Sequence, residues 1–160
     1  MFLKSDGTTR VLYIWDQTLS GTTPGGYDYG ALFTESQINQ DIAAASSHSY
    51  VPHTDEEGHG THVAGSAAGY DFDNSSGTRY DGAAKDANLI IVKTDFEGSH
   101  ITDGVKYIFD KAKELGKPAV INMSLGGGGE SKIMIEAIEY ASKKGVVIVA
   151  AAGNESSDSS

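Results

Sequence analysis

The sequence predicts an α/β fold in three layers, a mostly parallel sheet with helices on both faces. Three observations carry that reading. Toward the C-terminal end, short and nearly continuous apolar runs alternate with stretches of helical period, in the order strand, helix, strand, helix, strand. Gly116 and Gly145 stand where the two clearest helical stretches should stop. With 160 residues the chain can bury one core but not two of ordinary size, so residues 1–160 read as one domain or most of one.

The elements follow in order. After a polar turn, Ser5 to Thr9, the run Val11-Leu12-Tyr13-Ile14-Trp15 reads as a buried strand, and Ser20 to Gly30 as a Gly-rich loop. Thr34 to Ala45 reads as a helix, because Thr34 and Gln37 have the spacing of a capping box. Ser46 to Gly58 is polar, holds Pro52 and the carboxylates Asp55, Glu56 and Glu57, and reads as a loop. From His59 onward Val63, Ala64, Gly65, Ala67 and Ala68 predict a helix packed closely against neighbouring backbone. Asp71 to Asp81 is a polar loop, and Asn88 to Thr94 a second strand around Leu89-Ile90-Ile91-Val92. Ile101, Val105, Ile108, Phe109, Ala112 and Leu115 recur at helical spacing. Then come a strand from Ala119 to Met123, a loop from Ser124 to Gly129, a helix from Glu130 to Lys144 and a strand from Val146 to Ala151. In parallel sheets sites form at the carboxyl ends of strands, which directs attention to Thr94 to Ser99, Ser124 to Gly129 and Ala152 to Asn154.

Composition narrows the function. A net charge of -10, with twelve scattered Lys and Arg, argues against nucleic acid as a partner, since phosphate binding needs clustered cations. The longest apolar run, Gly145 to Gly153, is far shorter than a bilayer span, so no membrane partner is expected. With no cysteine, disulfides and thiolate zinc sites are excluded. No secretory signal is visible after Met1, and the compartment is left open, a secreted or cell-envelope parent included.

Three segments carry chemistry. In Gly58-His59-Gly60-Thr61-His62-Val63-Ala64-Gly65 a histidine flanked by glycines at a helix start can offer its ring with little shielding, as a general base requires. His62, one helical step further in, reads as a buried histidine bonded to nearby backbone. A zinc site is the rival for the pair, with Asp55 and Glu56 upstream, but neither His-Glu-x-x-His nor another ligand set is present. In Ile121-Asn122-Met123-Ser124-Leu125-Gly126-Gly127 a strand ends in small residues, leaving an edge on which an extended peptide could pair. The glycines Gly126 to Gly129 before a helix could suggest a phosphate cradle, although neither Gly-Lys-Ser/Thr nor Gly-x-Gly-x-x-Gly spacing is met. In Val146 to Asn154 a buried strand delivers Asn154 just past Gly153, where a side-chain amide can meet an oxyanion.

Taken in this chain order, the three segments closely resemble the histidine, substrate-edge and oxyanion segments of the subtilisin-like serine peptidases, the subtilases. That resemblance implies a serine endopeptidase with a Ser-His-Asp triad. In it His59 is general base and acid, Ser124, Leu125 and Gly126 pair with substrate and line the first specificity pocket, and Asn154 donates to the tetrahedral intermediate. It implies an extended peptide or protein substrate, no required cofactor, and calcium as a structural ion in many members. Asp95 to Ser99 lies where subtilases supply a second backbone edge, with a poor residue match.

Two parts of the pattern are missing. The Asp-Thr/Ser-Gly motif that ends the first strand has no counterpart, since Asp16 is followed by Gln17-Thr18. The stretch Asp6 to Gln17 instead resembles a subtilase branch related to the clostridial germination proteases, where it follows the catalytic aspartate. The expected triad carboxylate therefore lies upstream of Met1, with Asp16 structural, and Asp16 itself is the alternative for that role. The Gly-Thr-Ser-Met-Ala motif of the nucleophile does not occur, and Ser156, Ser157, Ser159 and Ser160 read as loop serines. The chain is thus expected to be part of a catalytic domain, inactive without the remainder. A catalytically dead peptide-binding module and a nucleotide-binding α/β domain are the alternatives.

Overall fold

A computed structural model describes residues 1–44, 48–71, 80–126 and 132–153. The chain divides into two compact units, Met1–Lys93 and Thr94–Ser160.

The first unit is built on a three-stranded sheet in the order β2-β1-β3, formed by β1 (Val11–Asp16), β2 (Ala31–Thr34) and β3 (Leu89–Lys93). β1 and β3 are parallel and end together, with Asp16 opposite Lys93, while β2 runs antiparallel along the other side of β1. The apolar run read from the sequence thus became the central strand, burying Val11, Ile14 and Trp15. Val11 and Ile14 pack with Ala31, Phe33 and Val51, and Phe2, Leu19, Ile38, Leu89 and Ile91 lean on that cluster. The Gly-rich loop is held from within: Trp15 is fully buried, its ring 4.6 Å from that of Tyr27 and 5.4 Å from that of Tyr29.

β2 is a strand that the sequence reading did not assign. The helix expected over Thr34 to Ala45 is α1 (Glu35–Ala43), and Ala45 lies outside the described residues. Its start is the one anticipated: Gln37 Oε1 accepts from the Thr34 amide at 3.0 Å and from the Thr34 hydroxyl at 2.9 Å. α2 (His59–Ala68) begins at Gly58, whose φ of 73° is left-handed and easily adopted only without a Cβ. Its far end packs as tightly as the small residues suggested. A Cβ on Gly82 would stand 2.6 Å from the Gly65 carbonyl and 2.7 Å from the Ala68 amide. Arg10, buried beside that end, donates from its guanidinium to the carbonyls of Ala68 and Ala87, tying α2 to the approach of β3.

The second unit comprises α3 (Gly98–Glu114), β4 (Val120–Met123), α4 (Lys132–Lys143) and β5 (Val147–Ala150). β4 and β5 are parallel neighbours in one two-stranded sheet. Val105, Phe109, Ile121, Ala141 and Val146 form its core, with Ile108, Ala119, Met123 and Ile148 against them. Phe109 meets the Tyr140 ring edge-on at 5.2 Å, joining α3 to α4. Leu115, read as the last apolar position of α3, is its C-cap and is exposed. Gly116 and Gly145, with φ of 62° and 86°, follow the two helices as expected. Among the described residues no helix is long and apolar enough to cross a membrane.

Candidate functional site

The carboxyl ends of the parallel strands organise both units, as the fold class predicts. In the first, Asp16 closes β1 with its side chain fully buried. Its Oδ1 accepts from the Thr18 amide at 2.9 Å and the Thr18 hydroxyl at 2.6 Å, and its Oδ2 lies 2.7 Å from His53 Nδ1. Burial, the largest influence on this carboxyl, would raise its pKa. The hydrogen bonds from the Thr18 hydroxyl, His53 and the Thr18 amide outweigh it and hold the group below the ordinary carboxylate value. Lys93, at the end of β3, donates from Nζ to the Thr54 carbonyl at 2.9 Å and stands 3.9 Å from Asp16 Oδ2. The two strand ends thereby pin His53 and Thr54, which lead into the carboxylate loop.

Asp55 is the next residue, and its carboxylate grips the start of α2. Oδ1 accepts from the Gly58 amide at 3.1 Å, while Oδ2 accepts from both the amide and the hydroxyl of Thr61 at 2.7 Å. Gly58 has no side chain with which to cap the helix, so a carboxylate three residues earlier satisfies the orphan amide of Thr61. Hydrogen bonds from the Thr61 hydroxyl and amide, and then from the Gly58 amide, lower the pKa of Asp55 against a smaller opposing effect of burial. His59, the first residue of α2, lies between the two points that Asp55 holds, and it is exposed.

His62 corrects an expectation: it is exposed rather than buried, because the small residues of α2 make their close contacts at the Gly65 to Gly69 end of the helix. Its carbonyl accepts from the Ser66 hydroxyl at 3.1 Å within the helix. Among the described residues no three of His, Cys, Asp and Glu gather as for a metal ion, so the zinc reading of His59 and His62 gains no support.

In the second unit β4 and β5 deliver two of the predicted segments side by side. Met123 is opposite Ala150, and the Ala151 amide donates to the Met123 carbonyl at 3.1 Å. The segments that begin at Ser124 and at Ala151 therefore leave the sheet from adjacent strand ends. Ser124 and Leu125 are half-buried, Gly126 is exposed, and Asn122 Nδ2 donates to Ser124 Oγ at 3.0 Å. Asn154, the glycines Gly127 to Gly129 and the serines Ser156, Ser157, Ser159 and Ser160 lie outside the described residues. Asp95, in the segment after β3, is bound by His100 Nδ1 at 2.8 Å and by the Glu97 amide at 3.1 Å. The structure thus joins the substrate-edge segment to the lead-in of the oxyanion segment in one unit, with His59 in the other.

Sequence reasoning missed the tasks of Asp55 and His53. The spacing Asp55-x-x-Gly58-His59 was legible as a possible cap, whereas nothing local announces that His53 meets Asp16, 37 residues earlier.

Known proteins bear on these segments. The profile of the subtilase family (peptidase S8) matches residues 19–160. A subtilisin of Bacillus sp. (strain TA39) is 44% identical over 106 residues, covering 63% of this chain and 24% of its own length. Alkaline protease 1 of Aspergillus flavus is 36% identical over 154 residues, or 91% of this chain and 36% of its own. The solved CspB protease of Clostridium perfringens superposes with a TM-score of 0.75 at 30% identity, over 96% of this chain and 32% of that one. The chain thus spans about a quarter to a third of such relatives. A match across both units, with an α/β fold that superposes on a subtilisin-like protease, establishes that the chain belongs to the subtilase family.

Proposed function

We propose that the protein carrying this chain is a serine endopeptidase acting on extended peptides, with His59 as its general base. One observation carries the reading: the Gly-His-Gly-Thr-His-Val-Ala-Gly string opens a helix whose first turn is fixed by Asp55 and whose histidine is exposed. A serine elsewhere in the protein attacks the scissile carbonyl. His59 removes its proton and returns it to the leaving amine, and Asn154 donates its side-chain N–H to the oxyanion. Ser124 to Gly126 pair with the substrate backbone, a role supported by their exit from a strand end beside the segment that leads to Asn154. Calcium, a structural ion in many subtilases, enters no step.

The buried Asp16–His53 contact favours one other assignment, because a carboxylate on Nδ1 is also how a triad orients its base. We prefer His59, since it stands in the family's histidine string and His53 does not. Asp16 then serves as a structural latch. The nucleotide-binding alternative loses its ground, because its glycine run falls within the family match.

A fluorophosphonate probe, which labels an activated serine, tests the activity. The full-length protein should label and residues 1–160 alone should not. A folded full-length protein that stays unlabelled and hydrolyses no peptide would make this a catalytically dead peptide-binding module.

A further inference from the structure

We infer that Asp55 is a positioning residue for His59, setting where the imidazole stands by clamping the helix turn on either side of it. The inference rests on the reading of His59 as the base and goes beyond it. The Asp55 carboxylate makes three hydrogen bonds, to the Gly58 amide on one side of His59 and to the Thr61 amide and hydroxyl on the other. Three features make the clamp directional. Gly58 is left-handed and cannot cap the helix itself, so without Asp55 the Thr61 amide loses its acceptor. A carboxylate at a helix N-terminus also meets the positive end of the helix dipole. Finally, Asp55 sits on a fixed base: His53 is bound by Asp16 at the end of β1, and the Thr54 carbonyl by Lys93 at the end of β3. A continuous path of hydrogen bonds and two short peptide steps therefore runs from the sheet to His59.

Proton transfer depends steeply on geometry, and a displacement of about 1 Å can cost about 10²-fold in rate. A cap that served stability alone would leave the rate per folded molecule untouched. The experiment compares wild type, Asp55→Ala, Asp55→Asn and His59→Ala in the full-length protein, with kcat and KM for a peptide substrate per titrated active site and Tm for each. We expect Asp55→Ala to lower kcat by about 10 to 10² with KM within about twofold. Asp55→Asn, which keeps an acceptor oxygen, should fall between Asp55→Ala and wild type, and it alone decides the matter should Asp55→Ala not fold. Unchanged kcat in the Asp55 variants with a lower Tm would overturn the inference while leaving His59 as base. Hydrolysis that survives His59→Ala would overturn the reading of His59 and the inference with it.

Discussion

The two units bring functional groups to strand ends by different means. The first does so with polar contacts, between residues far apart in the chain for Asp16 with His53, Lys93 with Thr54 and buried Arg10 with the carbonyls of Ala68 and Ala87, and locally for Asp55 with Thr61. The second relies on strand pairing over an apolar core, so that Met123 and Ala150 end in register and release their loops together. The proposed roles of His59 and of Ser124 to Gly126 would account for the difference. A histidine that moves protons has to be held in one orientation, which directional hydrogen bonds supply. A backbone edge for peptide pairing is oriented once its strand is paired.

The two units should fail in different ways. The largest expected effect is in the apolar unit: Phe109→Ala, which empties a buried position in contact with Tyr140, should destabilise by about 3–5 kcal/mol in denaturant unfolding. A loss below about 1 kcal/mol would mean that packing does not hold this unit.

The polar unit should answer to charge and acid. Asp16→Asn weakens the contacts to His53 and Thr18 and should cost about 1–3 kcal/mol at neutral pH. Because the folded-state pKa of Asp16 lies below its unfolded value of about 3.9, its contribution is full above that pH. It is lost as pH falls through the lower folded value. The gap between wild type and Asp16→Asn in urea midpoint should therefore close under acid, and a gap that widens would contradict the sign of the shift.

Smaller still is Gln37→Ala, which removes the acceptor at the Thr34 amide and should cost about 0.5–2 kcal/mol, read as a lower unfolding midpoint. Both partners of this contact lie within three residues, so the loss reads a local cap rather than a strand end or the apolar core.

That locality also decided what could be read in advance. β1, β3, β4 and β5 were legible because their apolar runs are continuous, and α3 because its apolar residues recur along one face. The start of α1 was legible because both partners of its cap lie within three residues. β2 was not: its four residues follow a Gly-rich loop and are held by antiparallel pairing to β1, a tertiary effect with no periodic trace. His62 was misread because small neighbours in a helix imply burial without saying which end of the helix they bury. At the site, the histidine string and the strand-end segments were legible from residue type and order. The anchoring of His53 by Asp16 and of Thr54 by Lys93 depends on contacts across 37 and 39 residues, which no window along the chain reveals.

Peptide hydrolysis by His59→Ala and His53→Ala variants of the full-length protein, read alongside their thermal unfolding, separates the two histidines. Removing the group that moves the proton should lower kcat by at least about 10² to 10⁴ in His59→Ala with little change in Tm. His53→Ala should keep most of its turnover per folded molecule and unfold at a lower temperature, since it removes the 2.7 Å contact to the buried Oδ2 of Asp16. Full turnover in His59→Ala beside an inactive, folded His53→Ala would contradict the account and move the base to His53.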